Sequence, residues 1–140
     1  MHQFMTKEMI IKSNVENLRY VEKFVDEVSE ELHLSQDVYG NLLIATLEAV
    51  NNAIIHGNKK NEDLDVEVEF STIEDHKDIV LTVKDQGEGF DFLNIPDPTA
   101  PENIEKINGR GVFLMEKLSD EIAFEGNGSV VKLKFKSVFE

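Results

Sequence analysis

The sequence predicts an α+β fold, a two-layer sandwich of helices against a sheet, and three observations predict it. Apolar residues recur at helical spacing through roughly the first 56 residues. Segments that mostly lie later alternate apolar and polar residues with the period of a strand. Helices early and strands late, with no repeated strand-helix-strand unit, favour this layering over a parallel βαβ sheet. At 140 residues the chain reads as one domain over 1–140, large enough for its own hydrophobic core.

Residues 8–12 read as a short strand. Ser13 then opens a helix, with Glu16 placed to complete a capping box. Val15, Leu18, Val21, Val25, Val28 and Leu32 form that helix's apolar stripe. His33-Leu34 is a junction, and Ser35 caps a second helix with Asp37 in its first turn. This helix runs to about His56, with Leu43, Leu47, Val50 and Ile54 as its core stripe and Gly57 as its stop. Leu64, Val66, Val68 and Phe70 alternate with acids, as expected of a strand with one wet face. A polar turn at 75–78 leads to Ile79, Leu81 and Val83, so 64–84 forms a hairpin. Residues 91–108 hold all three prolines, Pro96, Pro98 and Pro101, in a long loop of the kind that is functional or disordered. Val112, Met115 and Leu118 begin a short helix. A strand follows at about 121–125, then a turn at Gly126-Asn127-Gly128, then a last strand carrying Val131, Leu133 and Phe135.

Composition narrows the function classes. The 28 acidic against 14 basic residues give a formal charge of -14, which repels nucleic acid phosphates and argues against direct nucleic acid binding. The same charge suits a basic protein partner, or simply solubilises the surface. Cysteine is absent, so disulfides and thiolate metal sites are excluded. No apolar run reads as long enough to cross a bilayer, and Met1 to Phe4 lack the basic and apolar regions of a signal peptide, so the expectation is a cytoplasmic protein without membrane contact.

Three short motifs carry candidate chemistry. Glu48 and Asn52 stand four residues apart and share a helix face, where a carboxylate and an amide can bind a divalent cation or orient a nucleophile. A solvated surface pair has the same spacing. Asp85 ends a strand before Gly87 and Gly89; glycines there let a backbone approach a ligand, or simply make an exit turn. Gly109-Arg110-Gly111 precedes a helix, a place that suits phosphate oxygens or flexible chain. It is neither a Walker A loop nor a dinucleotide fingerprint. His56 reads as a helix C-terminal residue rather than a ligand. Ser119 and Ser129 have no paired His and Asp, so a serine hydrolase has no support.

The order Glu48-x-x-x-Asn52, Asp85-x-Gly87-x-Gly89, Gly109-x-Gly111 and Gly128-Ser129 resembles the GHKL (Bergerat-fold) ATPase superfamily. Within it the chain is most similar to the small anti-sigma factor serine/threonine-protein kinases, from end to end. Glu48-Ala-Val-Asn-Asn-Ala-Ile-Ile-His-Gly and Gly-Arg-Gly-Val-Phe-Leu-Met-Glu-Lys-Leu are close to that family's wording. The resemblance implies a histidine kinase-like ATP-binding fold with a mixed or antiparallel sheet and helices on one face. It implies ATP or ADP with Mg²⁺ as cofactors. Asn52 would ligate the metal, and Glu48 would be the catalytic base. Asp85 would accept from the adenine amino group, with Gly87 and Gly89 allowing close approach. Residues 91–111 would be the ATP lid. Gly109, Arg110, Gly111 and Val112 would wrap the phosphates, with Arg110 either on phosphate or in solvent. Ser129 would replace the usual threonine near adenine, and Val130 would lose a second threonine's contact. Arg19 would stand where these kinases often carry an arginine that meets a partner. The implied activity is phosphorylation of an anti-sigma factor antagonist and sequestration of a sigma factor, as a homodimer in transcription regulation. The alternative is a non-catalytic, nucleotide-dependent module that only binds the sigma factor or another regulator.

Overall fold

A computed structural model describes residues 6–73, 78–87 and 115–136. Strand β1 (Thr6–Lys12) is followed by a 3-10 turn and then by helices α1 (Leu18–Leu32) and α2 (Gln36–Asn52). A single π-helical turn, Ala53–Gly57, extends α2. Strands β2 (Asp65–Ile73) and β3 (Asp78–Lys84) make the expected hairpin, and β4 (Glu121–Glu125) and β5 (Val130–Phe135) make a second one. Residues 115–118 are helical. The five strands lie in the order β1-β2-β3-β5-β4, and every pairing is antiparallel.

The register explains the layering. Val68 pairs with Val83, Phe70 with Leu81, Val83 with Val131 and Leu81 with Leu133, so one row of apolar side chains crosses the sheet on one face. That face packs against Val21, Val25 and Val28 of α1 and Leu42, Ala45, Ala49 and Val50 of α2 in one buried cluster. The other face carries Glu67, Lys84 and Lys132, all exposed. Its ion pairs, such as Lys12–Asp65 at 2.8 Å and Lys132–Glu125 at 3.1 Å, are exposed and add little stability.

Several local expectations change. Ser13 does not cap the first helix: Asn14 does, its Oδ1 accepting from Glu16 N at 2.9 Å. Ser13 is instead fully buried and donates to the Leu64 carbonyl at 2.7 Å. Val15 is exposed rather than part of the stripe. The buried stripe of α2 is Leu42, Ala45, Thr46, Ala49 and Val50, with Leu43 and Leu47 only half-buried at its margin. Small residues let the helix lie close to the sheet, and Thr46 satisfies its hydroxyl on the Leu42 carbonyl at 2.6 Å. Gly57 is not a left-handed stop; positive φ falls on Lys59 and Lys60 instead. Ser35 caps α2 as expected, accepting from Val38 N. The turn at 75–77 and the loop at 91–108 lie outside the described residues.

Helix α2 with its π turn, Gln36–Gly57, is long and apolar enough to cross a membrane, by length and composition only, at a mean hydropathy of 1.2. It is the core helix of this fold: its stripe is buried in the cluster on the sheet. Asp37, Glu48, Asn51, Asn52 and His56 on the same segment suit a half-wet helix rather than a lipid-facing one.

Phe70 is fully buried at the centre of β2 and lies 5.6 Å from the Phe24 ring of α1, centroid to centroid. Phe70→Ala is expected to lower the unfolding free energy by about 3–5 kcal/mol in urea titrations. A loss below about 1 kcal/mol would show that the sheet-helix layer is not packed as described.

Candidate functional site

Two elements meet at the site: the end of α2 and the exit of β3. Glu48 and Asn52 lie one helical turn apart near the end of α2, both half-buried. Next comes the π turn, closed by Asn58 N donating to the Ala53 carbonyl at 2.8 Å. Single π turns occur mostly as local insertions in helices and often at functional positions. Asn52 Oδ1 and His56 Nε2 are both buried, and neither has a hydrogen-bond partner among the described residues. Buried polar atoms are nearly always satisfied, so two orphans within one turn point to a ligand that completes them. Sequence reasoning set His56 aside as a helix-terminal residue. The signal that could have found it is its place one turn beyond Asn52.

Asp85 stands just after β3. Its backbone N–H donates to the Ser129 carbonyl at 2.9 Å, which ties it to the start of β5. Its Oδ1 accepts from Gly87 N at 2.8 Å, a local turn of the kind Asp favours. The helix end and this turn touch directly. A Cβ on Gly87 would lie 1.9 Å from the Gly57 carbonyl oxygen, and a Cβ on Gly57 would lie 2.4 Å from the Asp85 carboxyl. Gly87 therefore requires glycine for space, because backbone stands in the way, and a side chain at Gly57 would displace the Asp85 carboxyl; neither needs a left-handed backbone. Such a cradle leaves Asp85 half-buried, with its second oxygen free of protein donors among the hydrogen bonds described.

Of the remaining expected site residues, Ser129 lies beside Asp85 through its carbonyl. Its hydroxyl donates to the Gly126 carbonyl at 2.8 Å. Gly89, Gly109, Arg110, Gly111 and Val112 lie outside the described residues. Arg19 is exposed at the start of α1, its guanidinium 5.0 Å from the Tyr20 ring centroid. The structure thus sets Asp85 and Gly87 against Gly57 beyond the end of α2, bonds Asp85 to Ser129, and carries Asn52 and Glu48 on the helix just before that contact.

Charge states follow from burial. Burial pushes the Asp85 carboxyl above its ordinary value, opposed by the Gly87 N–H. Burial pushes the His56 imidazole below its ordinary value. A raised carboxyl pKa means that the folded state holds its proton longer than the unfolded chain. Its favourable contribution is full below the unfolded value and is lost as pH rises through the folded value. Ionisation of Asp85 is therefore opposed by its surroundings. Asp85→Asn keeps the acceptor for Gly87 N and removes the charge, so its thermal midpoint at pH 7 is expected to equal or exceed the parent's. A midpoint clearly below the parent's at pH 7 would show that the carboxylate stabilises the fold.

Comparison with known proteins bears on the fold and the family. The family model described as the histidine kinase-like ATPase domain matches residues 11–135. The serine-protein kinase RsbW of Oceanobacillus iheyensis is 29% identical over 139 residues, covering 95% of this chain and 87% of that protein. The serine-protein kinase RsbW of Staphylococcus epidermidis is 32% identical over 122 residues, covering 82% and 76%. That of Bacillus subtilis is 26% identical over 129 residues, covering 88% and 79%. Among solved structures, the RsbU and RsbW domains of Rv1364c from Mycobacterium tuberculosis share the fold, with a TM-score of 0.62 at 14% identity. The match spans 94% of this chain and 32% of that longer one. With a five-stranded antiparallel sheet under two helices and these sequence matches, the chain belongs to the histidine kinase-like ATPase domain family, in the group of the RsbW serine-protein kinases.

Proposed function

We propose that this protein is an ATP-dependent serine/threonine protein kinase that phosphorylates an anti-sigma factor antagonist and otherwise sequesters a sigma factor. The observation that carries the reading is the buried Asn52 Oδ1, without a hydrogen-bond partner among the described residues, one turn from Glu48 on the same helix. An amide oxygen is a suitable hard ligand, so these residues fit Mg²⁺, which Asn52 would hold. When bound, the cation supplies charge neutralisation for the phosphates. Asp85, whose second oxygen has no donor among the described residues, sits in a tight cradle and fits the exocyclic amine of adenine. The second orphaned atom, His56 Nε2, supports a polar ligand over the same turn. Gly109 to Val112 are assigned to the phosphates by their motif alone.

In the transfer step, the acceptor's hydroxyl oxygen bonds the γ-phosphorus while the bond to the ADP oxygen breaks. The hydroxyl proton passes to the Glu48 carboxylate. The hydroxyl comes from the partner protein, so hydrolysis of ATP alone is slow. The RsbW kinases support a seryl acceptor, and the -14 charge suits a basic contact surface on a partner. We assign the chain to the cytoplasm and to a homodimer on the strength of that group, with no direct role for nucleic acid or membrane. Exposed Arg19 is a candidate contact with the partner.

Glu48→Gln keeps the size of the side chain but cannot take the proton. It is expected to retain nucleotide affinity and to lose about two to four decades of phosphoryl transfer. Single-turnover transfer of labelled γ-phosphate to a co-purified antagonist measures this. Transfer at the parent rate by Glu48→Gln would place the base elsewhere. A parent that transfers nothing to any co-purifying protein would favour a binding module without catalysis.

Asn52→Ala should weaken binding of ATP with Mg²⁺ far more than binding of metal-free ATP, because it removes an oxygen ligand rather than a charge. Calorimetry with and without Mg²⁺ reads the difference. Equal losses in both conditions would remove Asn52 from the metal.

A further inference from the structure

We infer that Asn58 is a positioning residue for base recognition, acting through the Gln86 peptide to fix the Asp85 carboxylate. The inference rests on the reading of Asp85 given under the proposed function. Asn58 follows the π turn and is only 2% exposed. Its Oδ1 accepts from Gln86 N at 2.7 Å. Its Nδ2 donates to Ser13 Oγ at 2.8 Å and to the Asp65 carbonyl at 2.9 Å. One side chain thus joins four segments: the end of α2, the end of β1, the start of β2 and the exit of β3.

The surrounding bonds fix its orientation. Ser13 Oγ, itself buried, spends its proton on the Leu64 carbonyl, so it can only accept from Asn58. The Asp65 carbonyl also needs a donor, and the Gln86 N–H needs an acceptor. A flipped amide would set donor against donor at Gln86, so a single orientation satisfies all three partners. Gln86 closes the ring by accepting from Asp65 N at 2.6 Å through Oε1.

The consequence falls on Asp85. Its own N–H is held by the Ser129 carbonyl, the next N–H by Asn58, and the third by its own carboxylate. Three successive backbone donors are therefore assigned, which fixes the turn that carries the carboxylate. Of these anchors Asn58 is the buried side chain from another element, so it can be changed without touching either the β3–β5 ladder or the Asp85 carboxylate. Its burial and its distance from solvent make it a poor candidate for direct contact with nucleotide. A residue acting through the Gln86 peptide should alter which base binds, not how the phosphates bind.

The test compares parent, Asp85→Asn, Asn58→Ala and Asn58→Asp. Calorimetry measures ATP, GTP and inorganic tripolyphosphate, each with Mg²⁺, and thermal unfolding is followed alongside. The parent should prefer ATP to GTP by at least about tenfold, the scale of one hydrogen bond to a charged group. Asn58→Ala should lose most of that preference while binding tripolyphosphate as the parent does. Asn58→Asp keeps the volume and the acceptor for Gln86 but sets an oxygen against the Asp65 carbonyl. It should lose part of the preference, and it decides the matter if Asn58→Ala does not fold. Preference retained in both Asn58 variants but lost in Asp85→Asn would overturn the role of Asn58 alone. Equal loss of ATP and tripolyphosphate in the Asn58 variants would mark a merely structural residue and overturn it too. No preference in the parent would overturn both this inference and the reading of Asp85.

Discussion

The close approach of Gly57 to Gly87 is the constraint on which the site depends. No side chain fits at Gly87 without striking the Gly57 carbonyl, and none fits at Gly57 without striking the Asp85 carboxyl. The helix that carries Glu48 and Asn52 is thereby set against the strand exit that carries Asp85. The sheet supplies the rest of the frame. Val66, Val68 and Phe70 of β2, with Ile79, Leu81 and Val83 of β3, bury the face on which α2 lies. Ala45, Ala49 and Ala53, together with Thr46, bring the helix close enough for its end to reach the turn.

The site is locally costly, and the core offsets that cost. Asn52 Oδ1 and His56 Nε2 are desolvated without partners among the described residues, and burial opposes ionisation of Asp85. Each is a poor choice for stability alone. Away from the site, by contrast, local rules are obeyed. Ser35 caps α2, His33 ends α1 in a left-handed conformation with its N–H on Ser29 and Glu30 carbonyls, and Lys7 pairs with Glu31 at 2.9 Å. Departures from local consistency gathered where α2 ends are what a functional site produces.

Much of this was legible in the residues. Alternation at 64–70, 79–83 and 131–135 placed three strands with the correct faces, because a half-buried strand leaves no freedom in its period. Glu48, Asn52 and Asp85 stood out as motifs, yet spacing alone left each with an ordinary surface or turn explanation. What decides between the explanations is burial without partners, which is a property of packing and not of spacing. Val50 and Ile54 of the expected α2 stripe are buried, whereas Leu43 and Leu47 stand at its margin; they drew the expectation because they are larger than Ala45 and Ala49. Apolar size suggested the core face, whereas close contact with a sheet selected the small residues. The roles of Ser13 and Asn58 depend on partners 51 and 28 residues away, and no local pattern encodes those. The π turn at Ala53–Gly57 likewise follows from tertiary contacts rather than from propensity.

The central claim is that Asp85 is kept in an unfavourable environment in order to receive a donor from the base of a nucleotide. The most direct measurement is a carbon-13 titration of the Asp85 carboxyl in the free protein, with ATP and with GTP. The account predicts an apparent pKa above the ordinary carboxylate value in the free protein. It predicts a fall on ATP binding, because a donor to the carboxylate favours its ionised form, and no comparable fall with GTP. An ordinary value in the free protein that ATP leaves unchanged would contradict it.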